Sequence, residues 1–158
     1  MKKLLSGCVA AAVALATVAL LLPNVARCAK DSPEGDSPKP TLVVNLTSGQ
    51  DDLHAVVMAF HFAEHGLDDG REVVVFFNVA SPPLACKNLD ASVKFREMPP
   101  VRAMVAHLLN RGAKIVVCPL CAKITGVTAE ELAPGIAMIK DRRQIFGHLH
   151  GEAVVFSY

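Results

Sequence analysis

Lys114-Ile-Val-Val-Cys118-Pro-Leu-Cys121-Ala-Lys-Ile-Thr-Gly126 reads as a buried strand that passes straight into a helix. Ile115 to Val117 are β-branched and apolar, the composition of a strand inside a sheet. Cys118 stands where the strand stops, Pro119 suits the first position of a helix, and Gly126 can close the helical turn. This places Cys118 at the N-cap with Cys121 one turn on, facing the same way. Unpaired N–H groups and the positive dipole end of a helix favour a thiolate there. A Cys-x-x-Cys at a strand-to-helix junction is the pattern of redox or sulfur-handling chemistry. Two buried structural cysteines, or half of a zinc site, would share the same spacing.

Working outward, the neighbouring segments alternate between strand and helix patterns. Leu42 to Leu46 and Val73 to Phe77 are continuous apolar runs, expected where a sheet is covered on both faces, as parallel α/β sheets are. Between them, Leu53 to His65 reads as a helix with Val56, Val57, Phe60 and Ala63 on its apolar face and Gly66 closing it. Ser48, Asp51 and Asp52 are available to cap its start. Pro99-Pro100 opens a second helix through Asn110, with Val101, Met104, Val105, Leu108 and Leu109 facing inward. Ala80 to Met98 is a long irregular segment, of the length functional loops have. Thr128-Ala-Glu-Glu131 is a capping box, Pro134-Gly135 breaks the chain, and Ala153 to Phe156 is a closing strand. The order predicts an α/β fold, a three-layer sandwich with a mainly parallel central sheet of the flavodoxin or Rossmann kind. Ligands of such sheets gather outside the carboxyl ends of the strands. The turn after Leu46, the loop after Phe77 and the Cys118 turn all open on that edge.

At the other end, Lys2 and Lys3 precede an apolar run from Val9 to Leu22 that Pro23 stops, the design of a secretory signal peptide. Residues 1–28 are therefore expected to be a signal peptide, 29–40 a Pro- and charge-rich linker, and 41–158 the folded domain, located in the periplasm. An uncleaved membrane anchor is the alternative; once the segment is cleaved, no stable membrane insertion is expected. The whole chain has 158 residues and a formal net charge of +1, but Lys2, Lys3 and Arg27 lie in the leader, leaving −2 on the remainder. With no basic surplus, one Tyr and no Trp, nucleic acid is not an expected partner. Three of the five cysteines remain after the leader, Cys86, Cys118 and Cys121, an odd number for a disulfide scaffold. There is no Gly-rich phosphate loop and no Ser-His-Asp set, so no cofactor is expected. His54, Met58, His61 and His65 share a stripe of the first helix, with His148 and His150 near the last strand. Cys118, Cys121 and two of these histidines would suit tetrahedral zinc.

The chain resembles the DsrE-like family of small sulfur-relay proteins. Thr47, Gly49, Asp51-Asp52 and Gly70 carry the resemblance, together with Cys118, Cys121, Gly126-Val127, Leu132 and Gly135-Ile136. It implies an α/β fold, a persulfide carried on Cys118, and assembly as a homotrimer or homohexamer; Cys121, one turn on, would serve as a resolving partner. It also implies a sulfur donor or acceptor, either a protein or a small sulfur compound, and so a sulfurtransferase or sulfur carrier. Cys86 is a third thiol that could take part. One departure is Thr125, where many relatives have a basic residue before the glycine. The alternatives are a non-enzymatic homo-oligomeric binding protein and a Cys/His metal-binding module.

Overall fold

Among the described residues, nine helices and strands alternate along the chain. They are β1 (Thr41–Leu46), α1 (Leu53–Asp68), β2 (Val73–Phe77), α2 (Val101–Asn110), β3 (Lys114–Val117), α3 (Pro119–Thr125), β4 (Ile136–Met138), α4 (Arg143–Phe146) and β5 (Ala153–Ser157). The computed structural model describes residues 39–141, 143–149 and 151–158. The expected signal peptide and all but the end of the linker lie outside these residues, as does His150. Among the described residues no helix is long and apolar enough to cross a membrane.

The strands form one sheet in the order β4-β3-β2-β1-β5, all parallel. The chain starts on β1, steps outward through β2 and β3 to β4, then returns to place β5 against the free side of β1. Because successive strand residues point to opposite faces, Leu42, Val44, Leu46, Val73, Val75, Phe77, Ile115 and Val117 share one face. They pack there against Val56, Phe60 and Ala63 of α1 and Met104, Val105 and Leu108 of α2. Val43, Val74 and Val116 share the other face with Ile139, and Ile145 and Leu149 pack on them. The third layer is thinner than the first, since α4 has only four residues. Both inner helices bury the stripes expected of them, except that Leu109 is only half-buried.

Two elements differ from the sequence expectation. First, α1 does not stop at His65 but continues to Asp68, and Gly66 lies buried within it. A Cβ at 66 would overlap Leu42 Cδ2 and crowd Val73 Cγ2 at 3.0 Å. The glycine is there because helix and sheet approach closely, and the turn itself is made at Gly70, whose φ is +72°. Second, Ile136–Met138 pairs with β3 as an additional edge strand, with Val117 opposite Met138. The segment from Ala80 to Met98 is irregular, as expected, but anchored. It holds a 3-10 turn at Pro82–Ala85, its Leu84, Ala85 and Leu89 are buried, and Lys87 N donates to Glu131 O at 2.9 Å. The capping box forms: the Glu131 carboxylate accepts from Thr128 N at 2.8 Å.

Candidate functional site

Cys118 follows the last residue of β3 with extended backbone (φ −67°, ψ 120°) and is the N-cap of α3. Its N–H donates to Phe77 O, the end of β2, and its carbonyl accepts from Ala122 N, both at 2.9 Å. The backbone of Cys118 therefore ties sheet to helix. Pro119 occupies the first helical turn, and Gly126 ends the helix in the left-handed region at φ 76°. Cys121 sits one turn in, and Thr125 hydrogen-bonds back to Cys121 O at 2.9 Å. Thr125 thus caps a carbonyl of the cysteine helix and adds no charge. Cys86, Cys118 and Cys121 are all free thiols and half-buried.

The two cysteines of the motif differ in their surroundings. The Cys121 thiol donates to Asn78 Oδ1 at 2.9 Å. Burial pushes this thiol up, a hydrogen bond to the Cys118 sulfur and the charge there push it further, and the backbone N–H of Val79 works against them. Asn78 is itself fixed. Its Oδ1 also accepts from Val79 N at 3.0 Å, its Nδ2 donates to Asn45 Oδ1 at 3.4 Å, and Asn45 Nδ2 donates to Ser157 Oγ at 3.1 Å. A line of polar side chains thus crosses the carboxyl edge of the sheet, from α3 past the ends of β2 and β1 to β5. The turn beneath it is held by Ser81, fully buried, whose hydroxyl lies 2.7 Å from Leu46 O and 2.8 Å from Asn78 O.

Val79 has φ 53°, a region that a β-branched residue enters only at a cost, of order 1–3 kcal/mol, when its surroundings impose it. The constraint comes from Asn78 on one side and the buried Ser81 turn on the other. Val79 is 57 % exposed, and the neighbouring helix presents Leu120 and Ile124 at 64 % and 74 %. The last two are one helical turn apart, so they form a single apolar strip on α3.

The crevice between the ends of β1 and β5, where the strand order reverses, is closed by the chain itself. Thr47 N and Ser48 N both donate to Tyr158 O, at 2.6 and 3.1 Å. Cys86 is separate from the pair. It bridges to Leu132 and lines a cavity of ≈ 340 Å³ with Lys87, Arg102 and Pro134, which neither Cys118 nor Cys121 lines. Burial pushes the Cys86 thiol up, and the Glu131 carboxylate adds to this.

The histidine stripe is not gathered with the cysteines. His54 stacks on Phe95 with ring centroids 4.9 Å apart, and His61 Nδ1 lies 3.0 Å from Glu64 Oε2. His65 and His107 lie near Asp68 and Glu64. Among the described residues no three His, Cys, Asp or Glu side chains come together as a metal site. The zinc alternative therefore finds no support among them, because carboxylates three residues along the same helix already face two of these histidines.

Asn78, Val79, Leu120 and Ile124 were not singled out by sequence reasoning. The usable signal was Asn78, a polar residue directly after the apolar run Val73 to Phe77.

No family model and no curated protein matches the sequence. Solved structures do match in shape. A protein of unknown function, MTH1491 from Methanobacterium thermoautotrophicum, is 14 % identical, with a TM-score of 0.57 over 76 % of this chain and 100 % of its own. The ychN protein from E. coli is 12 % identical, with a TM-score of 0.53 over the same shares. The chain has the DsrE-like fold. At such identities the likeness is one of architecture, and the chemistry has to be argued from this chain's own cysteines and amides.

Proposed function

We propose that this DsrE-like protein is an exported cysteine-based sulfur carrier, with Cys118 accepting sulfur and Cys121 resolving it. The observation that carries the reading is the asymmetry of the pair. Cys118 stands at the strand end, bound to its surroundings through its backbone. Cys121 lies one helical turn in, its thiol donating to Asn78 Oδ1 at 2.9 Å. In the loading step the Cys118 thiolate attacks the sulfane sulfur of a persulfide, R–S–SH. The donor S–S bond breaks, RS⁻ leaves, and Cys118–S–SH remains. An acceptor thiolate can then take the terminal sulfur and restore the Cys118 thiolate. Alternatively, Cys121 attacks the inner sulfur, releasing HS⁻ and leaving a Cys118–Cys121 disulfide that an external dithiol must reduce. Cys86 lies on a different cavity and is outside this cycle.

The test is the intact mass of the reduced protein after incubation with glutathione persulfide. It should rise by one sulfur atom, and dithiothreitol should remove the gain; an unchanged mass rejects the carrier role. Export rests on Lys2, Lys3 and the run Val9 to Leu22. The native protein is expected to begin between Arg27 and Lys30 by mass spectrometry, and an intact Met1 in a cytoplasmic fraction would overturn it.

A further inference from the structure

We infer that Asn78 is a positioning residue that holds the Cys118–Cys121 pair in the dithiol state. The inference rests on the thiol reading of these two cysteines but not on sulfur transfer. Asn78 Oδ1 receives two donors, the Cys121 thiol at 2.9 Å and the Val79 N–H at 3.0 Å. The second fixes which end of the amide faces the sulfur, because only the carbonyl oxygen can accept from a backbone N–H. The amide nitrogen is turned toward Asn45 Oδ1, 3.4 Å away, so the group is held from both ends. Val79 is kept at φ 53° beside it, which is the cost of aiming this turn at the cysteines.

The consequence follows from what each redox state can donate. A thiol at 121 carries the hydrogen that Asn78 accepts. In the disulfide that hydrogen is gone, and Asn78 Oδ1 faces a sulfur bearing only lone pairs. The dithiol is therefore favoured by one hydrogen bond that the disulfide lacks, about twofold in the equilibrium constant, the low end for a net bond because S–H is a weak donor. The same contact acts on a loaded Cys118. While Asn78 holds the proton on Cys121, the neighbouring thiol is a poor nucleophile toward the persulfide. Internal discharge as HS⁻ is slowed, and more of the sulfur is left for an external acceptor.

The exchange to be measured consumes one oxidised glutathione. The two thiols of the pair become one disulfide and two reduced glutathiones are released, so electrons and protons balance. The full chain is equilibrated with defined mixtures of reduced and oxidised glutathione, quenched with acid, alkylated and cut with trypsin. The fragment Ile115 to Lys123 carries both cysteines of the pair and no other, so its mass gives the disulfide fraction directly. Asn78→Leu, which removes the acceptor and keeps water out, should move the equilibrium about twofold toward disulfide. Asn78→Ala should move it the same way. Asn78→Asp retains an acceptor oxygen and should remain at the wild-type position or shift toward dithiol. Leu and Ala variants that titrate with the wild type would overturn the inference, as would an Asp variant that shifts with them toward disulfide. A wild-type pair that never exchanges with glutathione would reject the thiol reading as well. Variants that shift as expected in a protein that takes up no sulfur would uphold Asn78 and reject only the carrier.

Discussion

In the Cys118→Ser variant, incubation with glutathione persulfide is expected to leave the intact mass unchanged, where the wild type gains one sulfur atom. The hydroxyl of serine is not ionised near neutral pH and cannot form the persulfide, so the loss should be complete. Cys118 contributes its N–H and carbonyl to the junction of β3 and α3, and serine retains both, so the variant should fold. Serine is also a favoured N-cap residue. Cys121→Ser is the control: loading should persist, while release of HS⁻ by internal resolution should disappear. Equal loading of wild type and Cys118→Ser would reject the assignment, with Cys86 the next thiol to test.

Phe77→Ala should cost about 3–5 kcal/mol, the range for emptying a buried aromatic site. Phe77 is fully buried at the end of β2, its ring centroid 6.2 Å from that of Phe60 on α1. Little relaxation is available, because both neighbouring strands hold it in register. A typical domain has a total stability of about 5–15 kcal/mol, so the loss would be a large part of it. The urea midpoint should fall by more than about 1 M, given slopes of about 1–3 kcal/mol/M. A fall below about 0.5 M would mean that the packing between β2 and α1 is looser than described.

What could be read in the sequence was whatever a local rule determines. The passage from β3 into α3 follows from a β-branched run, a proline and a glycine in the right order, and the structure places all of them as read. The capping box at Thr128 and Glu131 is equally local. β4 was not legible, because three residues after Gly135 are too few to show a period. Gly66 was misread because helix closure and close approach to a sheet both call for glycine, and only the position of Leu42 decides between them. The role of Asn78 was out of reach for a different reason. It depends on β2 lying beside β3, which brings residue 78 to residue 121. The cysteines could be found from spacing, but the hydrogen-bond acceptor beside Cys121 could not, since it comes from the end of another strand.

The return of the chain to β1 also sets an order of events during synthesis. β1 is bordered by β2 on one side and by β5 on the other, and Asn45 and Ser157 at their carboxyl ends are 112 residues apart in the chain. β2, β3 and β4 can each join the growing sheet as they leave the ribosome, but one flank of β1 has no partner until β5 has been made. Loop closure over such a separation is slow relative to local pairing. A nascent chain therefore carries one unpaired edge of an apolar strand, Thr41 to Leu46, until β5 is made, and during that interval the edge is open to pairing with the wrong neighbour.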